Sequence, residues 1–128
     1  MRLTAHLVTA ALLFAALFHL LPAVGVLGAQ RLASLYGVAI PGDDLLVLMR
    51  HRALLFALLG AFMLHAAWSP PLQGWALAAG LVSTGGFVWL AWTSGWLAAP
   101  LRTVMWIDVA LFAALAVAGG VRVLSLRG

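Results

Sequence analysis

RALLFALLGAFMLHAAWSPPLQGWALAAGLVSTGGFVWLAWTSGWLAAPLR, residues 52–102, opens and closes on arginine and carries no charged side chain on the 49 residues between them. A soluble domain draws about a quarter of its residues from Asp, Glu, Lys and Arg, so a run of this length has no place on a water-facing surface. A bilayer core takes about 20 apolar residues per helix, and this run is long enough for two. The break between them is in the run itself. At Ser69-Pro70-Pro71 the residue before proline is pushed out of helical geometry, which divides the run into spans at about 52–68 and 73–97.

Working outward, Leu3 to Gln30 adds 28 residues without a formal charge and reads as a span at about 5–27. The tail, interrupted only by Asp108, gives a fourth span at about 103–123. Residues 29–51 form the loop between the first two spans. Its turn chemistry sits at Tyr36-Gly37 and Pro41-Gly42-Asp43, with Asp43 offered as a helix N-cap. From Asp44 a helix of about 25 residues runs through Arg50-His51-Arg52 into the apolar run, its first two turns lying at the interface. Pro22 is expected to kink the end of the first span, and Pro100 to close the third. The Met1-Arg2 start imitates a signal peptide, but the apolar run is nearly twice the usual h-region of about 7–15 residues and reads as an uncleaved first span. The fold expected is all-α, a single membrane domain over 1–128: a four-helix bundle of antiparallel up-down spans.

With 66% hydrophobic and 8% charged residues, such a bundle gains nothing from water-driven burial and must associate through close packing and polar contacts. Small residues four apart, Ala76, Gly80 and Thr84 in the third span and Ala110, Ala114 and Ala118 in the fourth, would allow close approach; an alanine-rich composition also yields such spacings by chance. The net charge of +4 comes from seven cations, all arginine. They stand at the ends of the apolar runs rather than on one face, which makes them topology and headgroup anchors and argues against nucleic acid. Arg2, Arg122 and Arg127 fall on one side and Arg31, Arg50, Arg52 and Arg102 on the other, so the positive-inside rule sets no orientation. Trp68 and Trp75 flank the Pro-Pro turn, and Trp96 and Trp106 flank the Pro100 turn, as aromatic belts require. The absence of cysteine excludes thiol chemistry and thiolate metal sites.

Ionisable residues at membrane depth mark functional sites or structural pairs. His19 lies about 12 Å inside the end of the first span and Asp108 about 8 to 10 Å inside the start of the fourth, in the same half of the bilayer. Asp44, His51, Leu58 and His65 are spaced by seven and share one helix stripe. His19, His51 and Asp108 are therefore the catalytic candidates, in a polar pocket where Asp108 orients an imidazole for acid–base work. Asp108 reads equally as an internal ion pair with Arg52 or Arg102. His19 reads as a histidine bonded to backbone or serine, and Arg50-His51-Arg52 as snorkelling to headgroups. Candidate ligand-binding residues are Tyr36, Arg50, Arg52, Trp89 and Trp92, the last two on a stripe that could line a pocket for a flat ligand or simply face lipid. Met49-x-His51 and Met63-x-His65 pair soft ligands, but residues two apart diverge on a helix and the two histidines are about 21 Å apart, so no metal site is expected. A haem is an open alternative resting on the histidines alone, and a quinone one resting on the Trp89, Trp92, Trp96 stripe. Small four-span exporters place a glutamate in their first span, whereas this chain has no glutamate.

At Ser34-Leu-Tyr-Gly-Val38, Asp43-Asp44 and Leu46-Val-Leu-Met-Arg-His-Arg-Ala53, the chain resembles small bacterial membrane proteins of the DoxX-like kind. The resemblance covers nearly the whole length through short motifs. It implies a four-helix bundle in the bacterial inner membrane, in a group mostly without assigned function, some relatives being linked to quinone- or thiosulfate-related oxidation or to anthrone oxygenation. Look-alikes often carry the label phosphopantetheine adenylyltransferase. That soluble family is marked by a His-x-Gly-His signature on a Rossmann-like α/β fold, and no His-x-Gly-His occurs here. The expectation is thus a multi-pass inner-membrane protein, accessory or hydrophobic-ligand-binding. An oxidoreductase or isomerase acting on a substrate such as a quinone is the alternative, and a small transporter the second. The bilayer is its expected partner, with a homo-oligomer or larger membrane complex as a further one.

Overall fold

The computed structural model describes residues 2–127 and is helical throughout, without a strand among the described residues. Met1, Gly128 and the Arg2 side chain lie outside the description, and with them the reading of the Met1-Arg2 start and the anchoring role of Arg2. Helix α1 spans Arg2–Leu20 and tightens into a 3-10 segment over Leu21–Leu27. Then follow α2 (Ala29–Tyr36), α3 (Asp43–Ala66), α4 (Pro70–Thr93) and α5 (Ala99–Arg127). Leu3–Leu27, α3, α4 and α5 are long and apolar enough to cross a membrane. At about 1.5 Å per residue even the 24-residue helices exceed the bilayer core of about 30 Å. This is the make-up of a membrane protein.

The four long helices close into a ring. Helix α1 packs on α3 and α5, and α4 packs on the same two, so α1 and α4 face each other across the diagonal with lighter contact. Val8, Leu12 and Ala15 from α1 meet Met63 and Ala66 from α3, Ala76 and Leu77 from α4, and Leu111 and Leu115 from α5. Close approach rests on glycine at two points. A Cβ at Gly60 would stand 2.8 Å from Leu20 Cγ and 3.1 Å from the Ala16 carbonyl oxygen, so α1 and α3 touch through backbone. One at Gly80 would meet Met63 and Leu115 at 2.6 and 2.8 Å. Ala76, Gly80 and Thr84 are all buried, as their spacing suggests, and the Thr84 hydroxyl donates to the Gly80 carbonyl at 2.8 Å. The matching stripe on α5 turns out otherwise: Ala110 is exposed, and the buried face is Leu111, Leu115 and Ala118.

Several boundaries differ from the expected ones for identifiable reasons. Pro70 and Pro71 do not merely end α3; they open α4, where a missing N–H costs nothing. Ser69 before them is extended at φ −117°, ψ 90°. Pro100 likewise belongs to the first turn of α5 instead of closing the helix before it. Helix α4 stops at Thr93, short of residue 97, because the Thr93 and Ser94 hydroxyls donate to the Trp89 and Leu90 carbonyls and Gly95 turns left-handed at φ 83°. At the start of α3 the N-cap is Gly42, not Asp43; Asp43 and Asp44 occupy the first turn, where carboxylates complement the helix dipole. The stretch read as loop contains α2, amphipathic and anchored by buried Leu32 and Tyr36 four residues apart. Gly37, left-handed at φ 66°, ends it, and a Cβ there would strike Pro100 at 2.5 Å. Helix α2 is thereby docked beside the start of α5.

Candidate functional site

Just after His19, where α1 gives way to the 3-10 segment, a space lies between α1, α2, α3 and α5. A pocket of about 170 Å³ fills it, with apolar walls that include Phe18, Leu21, Phe56 and Ile107 and four polar residues, His19, Tyr36, Arg52 and Asp108. Leu21 is 52% exposed, so the pocket reaches the outer surface of the bundle. Each polar group comes from a different helix. His19 is the last residue but one of α1, Tyr36 ends α2, Arg52 lies about two and a half turns into α3, and Asp108 stands about 14 Å up α5 from Ala99.

His19 is 2% exposed and fully engaged. Its Nδ1 lies 2.8 Å from the Ala15 carbonyl, which only accepts, so Nδ1 carries the proton. In the neutral ring Nε2 then accepts from the Ser83 hydroxyl of α4 at 3.1 Å. Phe56 packs beside the imidazole, ring centres 5.4 Å apart. His19 is therefore a wall of the pocket with both nitrogens used, which is the backbone-and-serine reading.

Arg52 is held differently. Its guanidinium carbon lies 4.7 Å from the Phe56 ring centre, 5.0 Å from Tyr36 and 5.7 Å from Phe87. Three rings from α2, α3 and α4 thus face one cation in a medium where the attraction is strong. Arg52 and Asp108 line the same pocket, yet no ion pair within 4.0 Å forms among the described residues. Of the two readings of Asp108, the direct ion pair with Arg52 or Arg102 is therefore not formed among the described residues. Arg102 is further removed, exposed beside Trp92 and Trp96 on the outer face of α4 and α5. The Asp108 carboxylate takes no hydrogen bond from a described side chain. Since every sealed side-chain nitrogen and oxygen among the described residues has a partner, its oxygens are accessible, and the residue lines the pocket.

The remaining candidates do not converge here. His51 and Asp44 are exposed, and so are His65 and Leu58, the latter at 60%, so the seven-residue stripe of α3 faces outward. Turning by about 100° per residue, the helix sends Arg52 inward and its neighbour His51 out. Arg50 Nε donates to the Val26 carbonyl at 2.8 Å, closing the end of the 3-10 segment. Trp89 and Trp92 line a separate shallow groove with Gly85, Val88, Val109 and Phe112. All six tryptophans are more than half exposed, as lipid-facing belts require. Among the described residues no three His, Asp or Glu side chains gather to hold a metal ion.

Sequence reading passed over Phe18, Phe56, Ser83 and Phe87, since apolar and hydroxyl residues in a span carry no signal until the helices are rotated against one another. It also passed over a polar knot at the opposite end. There Gln73 Nε2 and the Thr9 hydroxyl both donate to the Ala67 carbonyl, at 3.2 and 2.9 Å, and Arg122 donates to Gln73 Oε1 and the Pro70 carbonyl, at 3.2 and 2.9 Å. A glutamine beside two prolines, facing an arginine near the end of the last span, was the available hint. No family model, curated protein or solved structure matches the chain.

Proposed function

We propose that this is a binding protein of the DoxX-like kind, resident in the bacterial inner membrane, that takes a small hydrophobic ligand from the bilayer into the pocket between α1, α2, α3 and α5. The supporting observation is the pocket itself: a ring-sized, largely apolar space, reached through Leu21, into which Arg52 and Asp108 bring unspent hydrogen-bonding capacity. A cavity of about 150 Å³ lined by aliphatic and aromatic side chains suffices for benzene, so about 170 Å³ accommodates one six-membered ring and small substituents. A few polar groups in an apolar cleft fix orientation, which is how ligand pockets gain specificity. Binding is favoured over acid–base catalysis because His19 cannot exchange a proton with a ligand without giving up Ala15 or Ser83.

The test is purification in mild detergent from native membranes, followed by solvent extraction and mass spectrometry. The expected result is a neutral lipid-soluble ring compound at up to one molecule per chain. It should disappear in Ile107→Trp, which fills the pocket, while the folded fraction by circular dichroism is unchanged. A bare protein whose thermal transition no ring compound shifts would overturn the reading.

A further inference from the structure

The charges around the pocket restrict its occupant further, on the assumption that the site binds a ligand as proposed above. Arg52 and Asp108 both line it and neither neutralises the other by direct contact. An anionic ligand would be held against an unpaired carboxylate, and a cationic one against a guanidinium, at separations where like charges repel strongly in a medium of low polarity. The sum of the two is zero, so the occupant is neutral. Its hydrogen-bonding sense follows from what is already spent. His19 has both nitrogens engaged, and the faces of Tyr36 and Phe56 are taken by Arg52. Asp108, which lines the pocket, is left as an acceptor-only group, its oxygens accessible and with no described donor. An acceptor left without a donor in such a setting is costly, and an occupant that supplies one gains a charge-assisted hydrogen bond.

We infer that the pocket selects a neutral ring bearing a hydroxyl group, whose O–H donates to Asp108, over the same ring carrying an ether or an ionised group. Asp108 is the specificity-determining residue, and Tyr36 and Arg52 are free to contact a second polar substituent. No bond is made or broken in this step.

The experiment compares four single-ring probes of similar size on the detergent-solubilised full chain: 4-methylphenol, 4-methylanisole, benzylammonium and 4-methylbenzoate, with toluene as an apolar control. Affinities are read from ligand-dependent thermal shifts corrected for partition into the micelle. We expect 4-methylphenol to bind roughly tenfold tighter than 4-methylanisole, the factor that corresponds to about 1.4 kcal/mol from one charge-assisted hydrogen bond. Both ions should bind more weakly than either. In Asp108→Asn the preference should narrow to about threefold or less, because the amide also donates to an ether oxygen. Equal binding of phenol and ether by the wild type would overturn the inference while leaving a hydrophobic pocket in place. So would tightest binding of benzylammonium, or a phenol preference untouched by Asp108→Asn. Failure of every probe, toluene included, would instead bring down the pocket reading itself. If Asp108→Asn does not fold, the ranking of the four probes on the wild type decides.

Discussion

The two ends of the bundle each bring an arginine in among the helices, and they treat it in opposite ways. At the Pro-Pro end, Arg122 donates to the Gln73 side chain and the Pro70 carbonyl, and Gln73 passes the connection to Ala67, where Thr9 joins it. Donors and acceptors there are matched within the protein. At the other end Arg52 rests on ring faces, Asp108 has no donor among the described residues, and the pocket they line is walled by a buried histidine already provided for. Equal charge in equal surroundings thus makes a latch in one place and an unfilled site in the other. What differs is whether neighbouring helices supply the complementary groups.

That contrast can be broken by substitution, and the largest effect is expected at the latch. Gln73→Leu removes the donor to Ala67 and the acceptor of Arg122 together. Hydrogen bonds between membrane helices are worth about 0.6 kcal/mol on average and up to about 1.7, so a loss of roughly 2 kcal/mol is expected, read as a lowered unfolding midpoint in detergent. Ser83→Ala should cost about 1 kcal/mol by leaving His19 Nε2 without its donor. A double variant with His19→Phe, which removes the orphaned acceptor, should recover part of that loss. Smallest of all is Asp108→Asn. With no partner to lose among the described residues, it should change stability by less than about 0.5 kcal/mol or raise it slightly, since a partly buried charge is relieved. A larger loss at Asp108 than at Gln73 would reverse the assignment of latch and site.

The unequal legibility of these ends in the sequence has a physical origin. Long uncharged runs and a Pro-Pro break are local signals, and they sufficed for four helices and an antiparallel ring. Helix α2 escaped notice because its eight residues include Gln30, Arg31 and Ser34, and its only regularity is Leu32 and Tyr36 one turn apart before a left-handed Gly37. Asp108 stood out as the lone acid within a span. Its surroundings did not, because a change of helix rotation by one residue would have brought His51 inward in place of Arg52. The rings around Arg52 come from three separate helices, and no spacing along the chain connects Tyr36, Phe56 and Phe87. Proline was the residue most easily misjudged, since it disrupts a helix interior and suits a first turn, and only the neighbouring glycine and hydroxyl residues decide between the two at Pro100.

The Pro-Pro turn carries an implication for the order of assembly. The Ser69 N–H serves the Ala66 carbonyl at 3.0 Å, but the two prolines that follow have no N–H to offer the Ala67 carbonyl, which is served by side chains from α1 and α4 instead. A newly inserted α3–α4 hairpin holds Gln73 but neither Thr9 nor Arg122. Its turn would therefore reach its final hydrogen bonding only when the first and last spans dock on either side, making the shortest connection between spans one of the last parts to mature.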